Sequence, residues 1–109
     1  MKKTILSIMV AISLHAGNPI VDGSREWEKN DNGNKNINDL TLGMYIGYIV
    51  GVKHSLNDML FCIPNDVESD QIFAIVRKYI KNNPEKWNKG SWNLVFTPLK
   101  EAFPCKKKK

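Results

Sequence analysis

Histidine and cysteine are scarce in this chain, two of each in 109 residues. Only His54 lies beyond residues 1–16, so a tetrahedral zinc site, which takes four nitrogen or sulfur ligands, has too few donors. No glycine-flanked nucleophile and no pair of histidines at helical spacing is present, which removes the usual hydrolase and metalloprotease patterns. No apolar run reaches the roughly 20 residues that a membrane span needs. Internal repeats and a second compositional block are also missing. Basic residues outnumber acidic ones, but not over a surface. The formal charge of +5 becomes +3 without Lys2 and Lys3, and the lysines at 106–109 carry +4, leaving the body near −1. A nucleic-acid interface needs basic residues spread across a face, so it is not expected. The basic tail suits an anionic lipid or cell-wall polymer, or is simply a solvated end.

Residues 1–16 have the three parts of a secretory signal: Lys2 and Lys3, an apolar run from Thr4 to Leu14, and the small residue Ala16 at the cleavage position. The sequence therefore predicts export to the periplasm as a cleaved precursor, with no cysteine near the run to take a lipid. The remaining 93 residues are enough for one small domain whose core is marginal without a covalent supplement. Residues 17–38 are polar and turn-rich, with Asn-Asp-Asn-Gly-Asn-Lys-Asn at 30–36, and read as a flexible segment in which Trp27 alone docks on the body.

The domain proper, 39–105, reads as helical. A first helix spans 40–56 with Asn38 or Asp39 as cap. Gly43, Gly47 and Gly51 share one of its faces, a ridge that predicts close approach of another helix, of the same chain or of a second copy. A second helix, 68–82, carries the stripe Ile72, Ile75, Val76, Tyr79 and Ile80. Asn83, Pro84 and Glu85 then cap and start a third that runs to Phe103, either kinked at Pro98 or divided into two short helices. The fold class is thus all-α, a small single-domain bundle. Cys62 and Cys105, each beside a proline, bracket the second and third helices and are expected to form a disulfide. Its closure is worth about 4 kcal/mol on the chain-entropy account. Two free or metal-binding thiols are the rival reading. No catalytic residue, metal or cofactor is expected, although Asp58, Asp66, Glu68 and Asp70 cluster around the loop and leave acid-base chemistry as an alternative. A helical binding or structural module of the periplasm is another.

These elements, in their order and spacing, resemble the Rap/Tai immunity proteins, which bacteria export to the periplasm against amidase toxins delivered by type VI secretion. The resemblance covers about 42–105. It rests on Gly47-Tyr48-Ile49-Val50-Gly51-Val52, Phe61-Cys62-Ile63-Pro64, Gln71, Lys78-Tyr79-Ile80, Pro84-Glu85, Leu94-Val95, Leu99 and Ala102-Phe103-Pro104-Cys105. Departures from the pattern are Tyr45 in place of a cysteine whose partner is also missing, His54 for an acidic residue, Glu68 for a threonine cap, and Ser91 and Pro98 for alanines. The resemblance implies an all-α homodimer that inhibits a cognate peptidoglycan amidase by covering its active site, with no nucleic acid and no membrane span involved. Lys53, His54, Asn57, Asp58, Asn65 and Asp66 are the expected contacts, with Met59 and Leu60 as apolar anchors.

Overall fold

A computed structural model describes residues 18–106 of the chain. The signal segment at 1–16 and the lysines at 107–109 lie outside the described residues. Among the described residues four α-helices and one 3-10 helix follow in order: α1 (Pro19–Asp31), α2 (Asp39–Leu56), α3 (Ser69–Asn82), the 3-10 turn (Pro84–Lys89) and α4 (Ser91–Ala102). Among the described residues there is no strand, only one isolated bridge between Asn57 and Phe61. The all-α class expected from the periodicity is the class observed.

Helix α1 corrects the sequence reading, because most of the segment taken as flexible is an ordered helix. Asn18 caps it by accepting the Ile20 N–H at 2.9 Å, and Pro19 occupies the first turn, where a missing N–H costs nothing. Its inward face is Ile20, Val21, Gly23, Ser24 and Trp27, all buried. Composition hid it: three large apolar side chains in thirteen residues are few, and two small ones complete the face. Trp27 does dock, 8 % exposed. The turn-rich reading holds only for residues 32–38, between α1 and α2.

Helix α1 packs chiefly on α2 and then on α3. The closest approach is at Gly23, where an added Cβ would stand 2.5 Å from Tyr45 Cβ and 2.9 Å from the Thr41 carbonyl oxygen. The glycines of α2 do not make this contact. Gly43, Gly47 and Gly51 are exposed, and among the described residues a Cβ on any of them would meet nothing within 4 Å. The expectation of intrachain packing through this ridge is therefore corrected. The reason is angular: Tyr45 and Ile49 are the fully buried residues of α2, and Gly43 and Gly47 each precede one of them by two positions, about 200° around the helix. The side that faces the core turns the glycines outward.

Polar contacts hold α1 in place. Arg77 of α3 donates to Glu28 Oε2 through Nε at 2.9 Å and Nη2 at 2.7 Å, and through Nη1 to Ser24 Oγ at 3.2 Å. Lys81 Nζ reaches Glu28 Oε1 at 3.1 Å. Arg77 and, less strongly, Lys81 hold the Glu28 carboxyl below its ordinary range. The Tyr45 hydroxyl donates to the Phe73 carbonyl at 2.7 Å, and burial pushes its ionisation far up.

Helix α3 begins where expected. The Glu68 N–H donates to Gln71 Oε1 at 2.8 Å, half of the reciprocal cap that a Glu-x-x-Gln start allows. Its stripe buries Ile72, Phe73, Val76 and Ile80, with Ile75 and Tyr79 half-buried. The expected single helix kinked at Pro98 is corrected to two short helices, and the break falls at Gly90 while Pro98 lies inside α4. Gly90 has φ 94°, a conformation that side-chain-bearing residues rarely adopt, and it separates the 3-10 turn from α4. Leu94, Val95, Pro98 and Leu99 of α4 then close the core against α3.

Candidate functional site

Between α2 and α3 the chain makes a short projecting loop that is bonded to itself. Asn57 ends α2, its N–H donating to the Lys53 carbonyl at 3.0 Å. Its side chain turns back: Oδ1 accepts the Ile63 N–H at 2.8 Å. Asp58 has φ 71°, the left-handed region that Asp and Asn tolerate better than most residues, and its N–H donates to the Phe61 carbonyl at 2.7 Å. Met59 and Leu60 N–H groups both find the Leu56 carbonyl, at 3.0 and 3.1 Å. With these bonds closed, the chain has no polar reason to rearrange when a partner arrives.

Apolar burial fixes the base of the loop. Phe61 and Ile63 point into the core on either side of Cys62, and Phe61 lies against Phe96 of α4 at a ring separation of 6.4 Å. Cys62 and Cys105 form the expected disulfide, their Cα atoms 4.9 Å apart, and the Cys62 N–H donates to the Phe103 carbonyl at 2.8 Å. The bridge therefore joins the loop to the end of α4 instead of acting alone to hold the loop.

The residues expected to meet a partner fall on this projection in two groups separated by the buried Phe61 and Ile63. Asp58, Met59 and Leu60 form the tip, and Met59 and Leu60 are 72 % and 44 % exposed although apolar. Asn65 and Asp66 are exposed in the turn before α3, while His54, exposed, and Lys53, half-buried, stand in the last turn of α2. Asn57 differs from the others. It is half-buried and its acceptor is occupied within the loop, so it braces the tip without facing outward. The loop carboxylates do not converge: no group of three metal-ligating side chains is found among the described residues.

An aromatic surface beside the loop escaped the sequence reading. Trp92 of α4, 44 % exposed, stacks on Phe96 at 4.9 Å with rings 7° from parallel, and Lys100 Nζ lies 5.6 Å from the Phe96 ring centre. Trp92 walls an open groove of about 400 Å³ whose floor is Gly47, Gly51, Val52 and Leu56. The spacing of four among Trp92, Phe96 and Lys100, offset from the buried Leu94, Val95 and Leu99, was the available signal.

A rigid self-bonded loop with apolar side chains at its tip, on a disulfide-joined helical body, defines a small all-α binding module. The family described as Rap1a immunity proteins matches residues 25–105, well over half of the chain, and the chain belongs to that family. The match begins inside α1, upstream of the region that carried the resemblance in the sequence. Neither a curated protein nor a solved structure matches it. An immunity protein acts on a toxin partner, and the disulfide suits an oxidising compartment. Among the described residues no helix is long and apolar enough to cross a membrane.

Proposed function

We propose that this chain is exported by its 1–16 signal to the periplasm, where it binds a peptidoglycan amidase delivered by type VI secretion and inhibits it by covering its active site. The observation that carries this reading is the loop at 57–66, exposed and apolar at the tip yet internally hydrogen-bonded. A preformed projection loses little conformational freedom on docking, so its contacts convert into affinity efficiently. Met59 and Leu60 enter the cleft as anchors, and Lys53, His54, Asp58, Asn65 and Asp66 form a polar rim, the arrangement of an interface with an apolar centre. The chain acts without catalysis or cofactor of its own. It works as a homodimer.

The test uses the product of any small amidase gene found adjacent to the gene for this chain. Peptidoglycan cleavage should stop when the oxidised mature protein is added in equimolar amount, and L60D together with M59D should restore it while leaving the helical content unchanged. Undiminished cleavage at a tenfold excess of the unaltered protein would rule the reading out.

A further inference from the structure

The hydrogen bonds that close the loop between α2 and α3 run, with one exception, from main chain to main chain. Asp58 N–H reaches the Phe61 carbonyl, and the Met59 and Leu60 N–H groups reach that of Leu56. Bonds of this kind follow backbone shape and are open to many sequences. The exception depends on one side chain: Asn57 Oδ1 accepts the Ile63 N–H at 2.8 Å and so clasps the outgoing limb of the loop to the returning one. Ile63 has little freedom to pair elsewhere, because it is 5 % exposed and precedes Pro64, which biases it to extended backbone. Among the described residues Asn57 Nδ2 donates to none, and the half-buried side chain turns back into the loop. The tip it clasps, Asp58, Met59 and Leu60, is exposed, and Asp58 is in the left-handed region at φ 71°.

We infer that Asn57 is a positioning residue of the inhibitory surface: without touching the toxin, it fixes where Met59 and Leu60 stand and so sets how tightly the chain binds. This rests on the inhibitory reading above and adds what makes its loop competent. Without the Oδ1 acceptor the two limbs part, because the bonds that remain at the tip lie on exposed residues, where water competes for them. The left-handed backbone at Asp58 is disfavoured for a residue with a side chain and is held only while the limbs stay together. A toxin then meets the docking shape in a fraction of the molecules, and the apparent affinity falls by that fraction. The disulfide does not replace the clasp, since it ties Cys62 to the end of α4 and leaves the tip unbridged.

The test measures association and dissociation rates of the oxidised mature chain with the product of any small amidase gene adjacent to its own, at a temperature where circular dichroism shows every variant folded. N57A should bind about 5- to 30-fold more weakly, mainly through slower association, and exchange its Ile63 amide hydrogen faster. N57D keeps an oxygen in the place of Oδ1 and gives up only the unused Nδ2, so it should bind and exchange like the unaltered chain. I80V, in the buried stripe toward the far end of α3, lowers stability by a comparable amount and should leave binding unchanged. An N57A variant that binds as tightly as the unaltered chain overturns the inference and leaves inhibition standing. An equal loss in I80V does the same, because the effect would then be one of general stability. Weak binding by N57D with Ile63 still protected also overturns it, since Asn57 would then meet the toxin directly. Failure of the unaltered chain to bind any such amidase overturns the inhibitory reading together with this one.

Discussion

The same substitution, glycine to alanine in a helix, should have opposite effects on the two sides of the α1–α2 contact. In a helix interior alanine is favoured over glycine by about 1 kcal/mol. At Gly47 or Gly51 no described residue opposes this gain, because a new Cβ meets none of their atoms within 4 Å. Each should raise stability by about 1 kcal/mol, or the melting temperature by about 4–8 °C for a domain of this size. At Gly23 the new Cβ would lie 2.5 Å from Tyr45 Cβ, 2.9 Å from the Thr41 carbonyl oxygen and 3.3 Å from Tyr45 Cα. These are backbone and stem atoms that cannot rotate away, so the helices must part by about 1 Å to reach van der Waals separation. Contacts this short lie at the upper end of the usual overpacking cost, about 2–3 kcal/mol, and displacing α1 also strains the Arg77–Glu28 pair. After the propensity gain, G23A should lose about 1–2 kcal/mol and melt about 4–15 °C lower. Thermal and urea denaturation of oxidised protein, followed by circular dichroism, measures both. A G23A variant as stable as the parent would mean that α1 does not seat on α2 at this point. A G47A variant less stable than the parent would mean that the glycine face is packed against something, and the concentration dependence of its melting would then identify a second copy.

Two further outcomes follow from single contacts. N57A removes the acceptor of a part-buried Ile63 N–H, which should cost about 1–2 kcal/mol and speed hydrogen exchange at that amide; unchanged protection would show that the loop does not need the brace. Glu28 is held below its ordinary carboxylate range first by Arg77 and then by Lys81. Its folded pKa lies below its unfolded one, so its contribution is complete above the unfolded value near pH 4–5 and is lost as pH falls through the folded value. E28Q should therefore be less stable than the parent by about 1 kcal/mol at neutral pH, with the gap in urea midpoint closing as acid protonates the folded-state carboxylate. A gap that persists in acid would place the effect in packing and not in charge.

Local signals made α2 and α3 readable before any coordinates. Asn38 accepts the Thr41 N–H at 3.0 Å, and Glu68 pairs with Gln71, both within a turn of the helix they start. The stripe of α3 repeats at helical spacing, and with only two cysteines in the chain the bridge had one possible pairing. Proline at 98 suggested a kink or a division there, but the break is set by the positive φ of Gly90, eight residues earlier. Helix α1 was not readable in this way. Gly23 and Ser24 look like loop residues until Tyr45 and Arg77 are placed against them.

The sequence by itself determined which residues share a helical face, where the helices start, and which residues form the loop between α2 and α3, because these follow from spacings of a few residues. Tertiary structure decided which face turns inward. Tyr45 and Ile49 repeat every four positions, as Gly43, Gly47 and Gly51 do, and only their burial against α1 and the core sets the glycines outside. The same holds for the loop. Its position was evident, but the Asn57 brace and the left-handed turn at Asp58 close only with Phe61 and Ile63 buried in the core, and the tether that brings Lys106 to its foot joins residues 43 positions apart. Local propensity cannot encode such contacts, because their energy exists only when both partners have been brought together.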